Sequence, residues 1–259
     1  MPNKHLFFIP FDQGADINGA HRGVRRIFEN IDETLLNNCS YTYLFDPSLI
    51  ETRSKNLEFF NVMYQDAYLR ALTQDCKVIT ISGDHSITFY AYQLAVQFFG
   101  PMPLIIFDAH SDASREYEDL WLNHGCFVRE LKKHLSPVEI FHVGVRYDPM
   151  KLVDIDTMSF PTFSFGPQDQ QVEELITKKI GDSPCYISFD MDVVDPEESP
   201  GVNFPVSGGI QKQELFRILD KLFCLHVVAA DVVEYAANRD IDSRSLDIAT
   251  EVVEKWMRS

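Results

Sequence analysis

The sequence lacks any long apolar run. No stretch of its 259 residues approaches the ~20 consecutive apolar residues that carry a helix across a bilayer, so no membrane association is expected. It is also poor in basic residues: 23 Lys and Arg stand against 39 Asp and Glu, a formal charge of −16. Phosphate backbones draw basic faces, and this balance argues against a nucleic-acid partner. Cysteine is sparse. Cys39, Cys76, Cys126, Cys185 and Cys224 are odd in number, scattered, and form no C-x-x-C pair. That excludes a disulfide framework or a zinc knuckle and fits a reducing cytoplasm. The opening MPNKHLFFIPFDQG has a short apolar run cut by Pro10 and Asp12, with no small-residue cleavage site after it, so a signal peptide is not expected. Long Gly/Ser/Pro linkers, low-complexity tracts and internal repeats are missing as well, and a single domain over 1–259 is the expectation.

What is present is an alternation of short β-rich runs with helical patterns. The strand candidates are Leu6–Pro10, Tyr41–Phe45, Val78–Ile81, Leu104–Phe107, Glu139–Gly144, Cys185–Phe189 and Val227–Val232. Between them, Leu57, Phe60, Tyr64, Ala67, Tyr68, Ala71 and Leu72 recur at three- and four-residue steps, the period of a one-sided helix. Ile87–Phe99 is a second helix, stopped by Gly100-Pro101, and Asp169–Ile180, Lys212–Phe223 and Ser243–Met257 are three more. Strands separated by helices make parallel pairs. The expected fold class is α/β: a three-layer α/β/α sandwich with a central, mostly parallel sheet.

In such a sheet, ligands bind beyond the carboxyl ends of the strands. Four polar clusters map to that edge. Asp84-His85 follows the run Val78–Ile81, and Asp108-x-His110-x-Asp112 follows Leu104–Phe107. Asp190-x-Asp192 follows Cys185–Phe189, and Glu234 follows Val227–Val232. Each cluster alone has an ordinary explanation, since D-x-D suits a solvated loop and GDHS suits a helix N-terminus capped by Asp and Ser. Together they gather like charges, which is unfavourable unless cations lie between them. Mixed His and Asp donors suit a hard to borderline divalent ion such as Mn²⁺ better than Zn²⁺. Two imidazoles and four carboxylates are enough for two metal centres sharing a water, the arrangement that makes hydroxide at neutral pH.

With these segments in view, SGDHS, DAHSD, NHG, SFDMDVVDP and DVVE in that order, the chain resembles the ureohydrolase superfamily, the manganese enzymes that include arginase and agmatinase. The resemblance runs from about Gly14 to the C-terminus. It implies a binuclear manganese hydrolase that cleaves a linear guanidino C–N bond through a metal-bridging hydroxide and releases urea and an amine. It implies two Mn²⁺ per chain, a small guanidino substrate and a homo-oligomer, commonly a trimer or hexamer. By motif, His85 would ligate the first ion and His110 the second, with Asp108 and Asp190 bridging. Asp112 would bind the first ion and the hydroxide, and Asp192 the second. His124 matches the family's proton shuttle, and Glu234 the glutamate that grips the guanidinium. A formimino-group hydrolase and a catalytically silent binding subunit of the same superfamily are the alternatives. His124 argues against the first, and the intact ligand set against the second.

The chain departs from the family pattern near the substrate. Ser82 replaces the first glycine of the usual Gly-Gly-Asp-His-Ser, and SPGVNFP, residues 199 to 205, replaces the agmatinase-like PGTGTP. Between the D-x-H-x-D segment and His124 stands ASREYEDLWLN, in which Ser114 takes the place of the family's first Asn. Arg115 in that segment is a candidate partner for a substrate carboxylate, and Glu116, Glu118 and Asp119 for an amine. Recognition of arginine itself is not expected. His5, His134, His142 and His226 read as structural, His21 as a weaker candidate for substrate contact, and Cys126 as a buried inert thiol.

Overall fold

The structure is a computed structural model that describes residues 3–15, 17, 19–44, 53–74, 76–114, 121–135, 139–147, 162–169 and 171–259. Among these residues the strands are β1 (Asn3–Ile9), β2 (Ser40–Tyr43), β3 (Cys76–Ser82), β4 (Leu104–Phe107), β5 (Ile140–Val143), β6 (Thr162–Phe165), β7 (Cys185–Asp190) and β8 (Val227–Val233). They form one sheet in the order β2-β1-β3-β8-β7-β4-β5-β6, with every pairing parallel. The inner strands show the unbroken apolar runs of a sheet covered on both faces: β4 and β8 are buried along their whole length, while the edge strand β2 is mostly exposed.

The helices are α1 (His21–Asn30), α2 (Glu33–Leu36), α3 (Arg53–Thr73), α4 (Ile87–Phe99), α5 (Phe127–His134), α6 (Val172–Ile180), α7 (Lys212–Leu222) and α8 (Arg244–Arg258). Side chains alternate across each strand, and the two sets meet different helices. Leu6, Phe8, Ile105 and Phe107 pack with Val24 and Ile27 of α1, Ile176 of α6, Leu215 of α7 and Val252 and Trp256 of α8. Phe7, Ile9, Leu104 and Ile106 pack with Tyr64 and Tyr68 of α3, Tyr92 of α4 and Leu131 of α5. Helices thus cover both faces of the parallel sheet, the three-layer α/β/α sandwich expected from the sequence. No helix among the described residues is long and apolar enough to cross a membrane.

Every strand and helix read from the sequence is present, with ends moved by a few residues. Four further elements were not read: α1, α2, α5 and β6. Helix α1 carries Gly23 in its interior, a poor helix former. The glycine is there because a Cβ would lie 2.0 Å from the Tyr235 carbonyl oxygen, so packing overrides propensity. Strand β6 is four residues at the sheet's edge, with mixed burial.

Candidate active site

The strand order explains why the polar clusters meet. The clusters follow β3, β8, β7 and β4, which are four consecutive neighbours in the middle of the sheet. Parallel strands point their carboxyl ends the same way, so His85, Glu234, Asp190, Asp192, Asp108, His110 and Asp112 all emerge at one edge.

Backbone amides then aim the carboxylates. Asp108 Oδ1 accepts from the His110 amide at 2.6 Å, Asp190 Oδ1 from the Asp192 amide at 2.8 Å, and Asp192 Oδ1 from the Ala109 amide at 2.9 Å. One oxygen of each is thereby pinned, and the other turns to the middle. Around His85 Nδ1 stand Asp108 Oδ2 at 3.2 Å, Asp112 Oδ2 at 3.1 Å and Asp190 Oδ2 at 3.1 Å. His110 Nδ1 lies 2.7 Å from Asp192 Oδ2 and 3.5 Å from Asp108 Oδ1. Two ligand groups result, His85–Asp108–Asp190 and Asp108–His110–Asp192, and Asp108 belongs to both. Asp112 and Glu234 reach their places through left-handed backbone, at φ 45 and φ 64, a conformation that non-glycine residues adopt at a cost and that clusters at functional sites.

Residues behind the site fix His85. His85 Nε2 meets Ser188 Oγ at 2.9 Å, Ser188 Oγ donates to Asp231 Oδ1 at 2.6 Å, and Tyr186 Oη donates to Asp231 Oδ2 at 2.7 Å. Phe127 packs on the His85 ring at 4.2 Å. These residues were not identified in the sequence. The signal was Asp231 itself, a carboxylate inside the apolar strand VVAADVV.

The electrostatics show a site with too much negative charge for its own protons. Burial and the charges of Asp192 and Asp108 hold Asp190 well above the usual carboxylate range, and burial with Asp108 pushes Asp112 up to about 7. Burial also raises Asp192, with Asp108 adding to it. Burial works against a charged His110, but Asp108 and Asp192 outweigh it and push the imidazole up to about 12. Asp108 is held low: burial opposes its charge, and His110 and His85 more than offset that. The donor set therefore fits a pair of divalent cations. His85 Nδ1 and Asp108 Oδ2 are fully buried without a hydrogen-bond partner, although three carboxylate oxygens crowd that nitrogen. One N–H cannot serve three acceptors, whereas a cation can.

Beside this group runs a cleft of about 250 Å³ whose walls include Ser114, His124, Tyr147, Asn203, Phe204 and Glu234. Glu234 Oε1 accepts from the His85 amide at 3.0 Å and lies 3.4 Å from His124 Nδ1. Its Oε2 is buried and unpartnered. Burial resists protonation of His124, yet Glu234 prevails and pushes it up to about 9. Phe204 packs against the His124 ring at 5.3 Å. Ser114 lines the cleft, whereas Arg115, Glu116, Glu118 and Asp119 lie outside the described residues. His21 is elsewhere. It lines a larger, more open groove of about 940 Å³ along α1, and its Nδ1 pairs with Asp12 Oδ2 at 2.6 Å. Asp84 is structural, its carboxylate accepting from the amides of Gly14 and Ser86.

Comparison with known proteins agrees with this geometry. Residues 4–258 match a family model described as Arginase family. Over 172 residues, 65% of this chain and 53% of the other, the chain is 33% identical to an agmatinase of Chromobacterium violaceum. It is 29% identical to the proclavaminate amidinohydrolase of Streptomyces clavuligerus over 190 residues, 70% of this chain and 61% of the other. The chain thus spans a little over half the length of the curated relatives it matches. The crystal structure of the Streptomyces clavuligerus enzyme superposes with a TM-score of 0.84 at 23% identity, over 99% of this chain and 91% of that one. The arginase of Bacillus caldovelox also gives 0.84, at 17% identity over 100% and 99%. At those identities the superpositions speak to the fold.

Proposed function

We infer a hydrolytic function from one premise: the chain belongs to the arginase family. On that footing we propose that it is a binuclear manganese hydrolase of small guanidino compounds, releasing urea and an amine. The observation that carries the proposal is the pair of ligand groups sharing Asp108, beside Glu234, whose buried Oε2 has no hydrogen-bond partner. His85, Asp108, Asp112 and Asp190 would hold one ion, and His110, Asp108, Asp190 and Asp192 the other. The ions, when bound, make water nucleophilic at neutral pH and polarise the substrate.

The chain's own residues supply the rest. Glu234 Oε1 is occupied by the His85 amide, which leaves the unpartnered Oε2 as the acceptor for guanidinium N–H groups. That fixes the flat cation's orientation and presents its central carbon to the metal side. His124 stands next to the same carboxylate, which favours its charged form, and is placed to give a proton to the departing amine. Ser114, Tyr147 and Phe204 surround the remaining part of the substrate, and Arg115 is the candidate partner for a carboxylate tail. The homo-oligomer that the family resemblance implies is part of the same proposal.

The test is to load the protein with Mn²⁺ and screen arginine, agmatine, guanidinobutyrate, guanidinopropionate and free guanidine for urea release. Bound Mn²⁺ together with urea from at least one compound is expected. Protein that takes up two ions and releases no urea from any of them overturns the hydrolase reading.

A further inference from the structure

Arg146 follows β5 and was not singled out in the sequence. Gly144, between the two, has φ +99, and a Cβ there would lie 2.4 Å from Val193 Cγ2. This close approach brings the segment against the turn that carries Asp192. The guanidinium then turns its N–H groups to backbone carbonyls. Nη2 donates to Asp192 O at 2.7 Å and to Val206 O at 2.7 Å. Nη1 donates to Gly144 O at 3.1 Å and Val193 O at 3.2 Å, and Nε to Val206 O at 3.1 Å. Among the described residues none of these acceptors is a carboxylate, although Arg146 is half-buried and the carboxylates of Asp192, Asp108, Asp195 and Asp190 all act on its charge.

The carbonyls belong to three separate segments. Asp192 and Val193 form the short turn after β7, Gly144 ends β5, and Val206 follows Phe204 in the loop that walls the cleft. That loop is otherwise held at Asn203, whose Nδ2 donates to Ile17 O at 3.0 Å and whose Oδ1 accepts from Arg239 Nε at 3.1 Å. Val193 O also accepts from the Ile210 amide at 3.0 Å, but Arg146 is the group that ties the three segments' carbonyls to one donor. A planar fork with five N–H groups meets this need, and a lysine with three donors on a flexible stem meets it in part.

We propose that Arg146 is a positioning residue that clamps the metal-ligand turn to the substrate-facing loop, so that cation binding at Asp192 and the shape of the cleft at Phe204 are set together. The proposal rests on the binuclear-site reading for what the clamp is used for, but the clamp itself is readable without turnover.

The test uses the full chain with Arg146→Lys and Arg146→Gln. Hydrogen exchange is followed across residues 202–208, Mn²⁺ affinity by titration, and KM and kcat on the best guanidino substrate. Arg146→Lys keeps the charge and loses the fork. Exchange in 202–208 should speed up, and KM should rise about tenfold, a larger change than in kcat. Arg146→Gln loses the fork and with it the bond to Asp192 O, and should weaken Mn²⁺ binding by about ten- to a hundredfold, the usual effect of removing a group that orients metal ligands. Parent-like exchange across 202–208 in Arg146→Lys overturns the proposal, as does unchanged Mn²⁺ affinity in a folded Arg146→Gln. If Arg146→Gln fails to fold, the exchange and KM results for Arg146→Lys decide. A parent protein that binds Mn²⁺ and releases no urea removes the hydrolase reading and leaves the exchange result standing.

Discussion

Asp190 shows how a single side chain is divided between fold and chemistry: Oδ1 takes the Asp192 amide at 2.8 Å, and Oδ2 stands 3.1 Å from His85 Nδ1. Asp190→Ala removes the inward oxygen and leaves that amide without its acceptor. The variant should lose at least one equivalent of Mn²⁺ by metal analysis and essentially all urea release; parent-level metal and turnover would contradict its place as a ligand. His124→Ala should behave differently, because its ring pairs with Glu234 and is in neither ligand group. Metal content should stay the same while kcat falls by ~10²–10⁴, the usual worth of positioned proton transfer. Loss of metal from this variant would make His124 a ligand. Asp190 was legible in the sequence because D-x-D at a strand end is unusual in composition, and His124 through the resemblance of NHG to the family's segment. Ser188, Asp231 and Arg146 were not. They act through distances between segments far apart in the chain, such as the 2.6 Å from Ser188 Oγ to Asp231 Oδ1, and no local pattern encodes these.

At the scale of elements, long periodic segments with clear stops were readable, as in α4 closed by Gly100-Pro101, while elements shaped by their neighbours were not. Helix α1 is the clearest case, and its entry turn is testable. Asp12, 5% exposed, accepts from the Gly19 amide at 2.6 Å, the His21 amide at 3.2 Å and His21 Nδ1 at 2.6 Å. Burial disfavours the carboxylate's charge, but the bonds from His21 and Gly19 outweigh it and hold Asp12 below its ordinary value. A depressed folded value means that the unfolded chain binds the proton first on acidification. The stabilisation is therefore complete at neutral pH, starts to decline as pH approaches the unfolded carboxylate value of about 3.9, and is lost through the lower folded value. Asp12→Asn should cost about 2 kcal/mol at pH 7, the range for hydrogen bonds to a charged group. Denaturant titrations should show the gap between parent and variant closing below pH ~4. A gap that is constant with pH would mean that the charge on Asp12 has no part in holding α1.

For the molecule as a whole, the four-strand centre of the sheet sets stability against function. The sequence made the sandwich and its polar edge visible because period and strand-end position are local properties. The strand order that makes β3, β8, β7 and β4 neighbours depends on which crossovers pack, and that has no local signature. The consequence of this order is a cluster of buried carboxylates and imidazoles that could hold metal ions. Mn²⁺ that binds only the folded chain stabilises it by about 2.7 kcal/mol at a hundred times its dissociation constant, which in a chain of this size raises Tm by roughly 5–10 °C. Chelation should reverse the shift. Asp190→Asn sharpens the test, because it keeps the side chain's size and puts a neutral amide where burial and the neighbouring carboxylates already disfavour a charge. The metal-free variant should melt at or above the metal-free parent, since the carboxylate there is held against its own electrostatics. Added Mn²⁺ should then raise the parent above the variant. Differential scanning calorimetry of both proteins, with and without Mn²⁺, reads the order directly. If the metal-free variant melts well below the metal-free parent, Asp190 stabilises the empty fold, and the carboxylate cluster is structural rather than a strained site completed by metal.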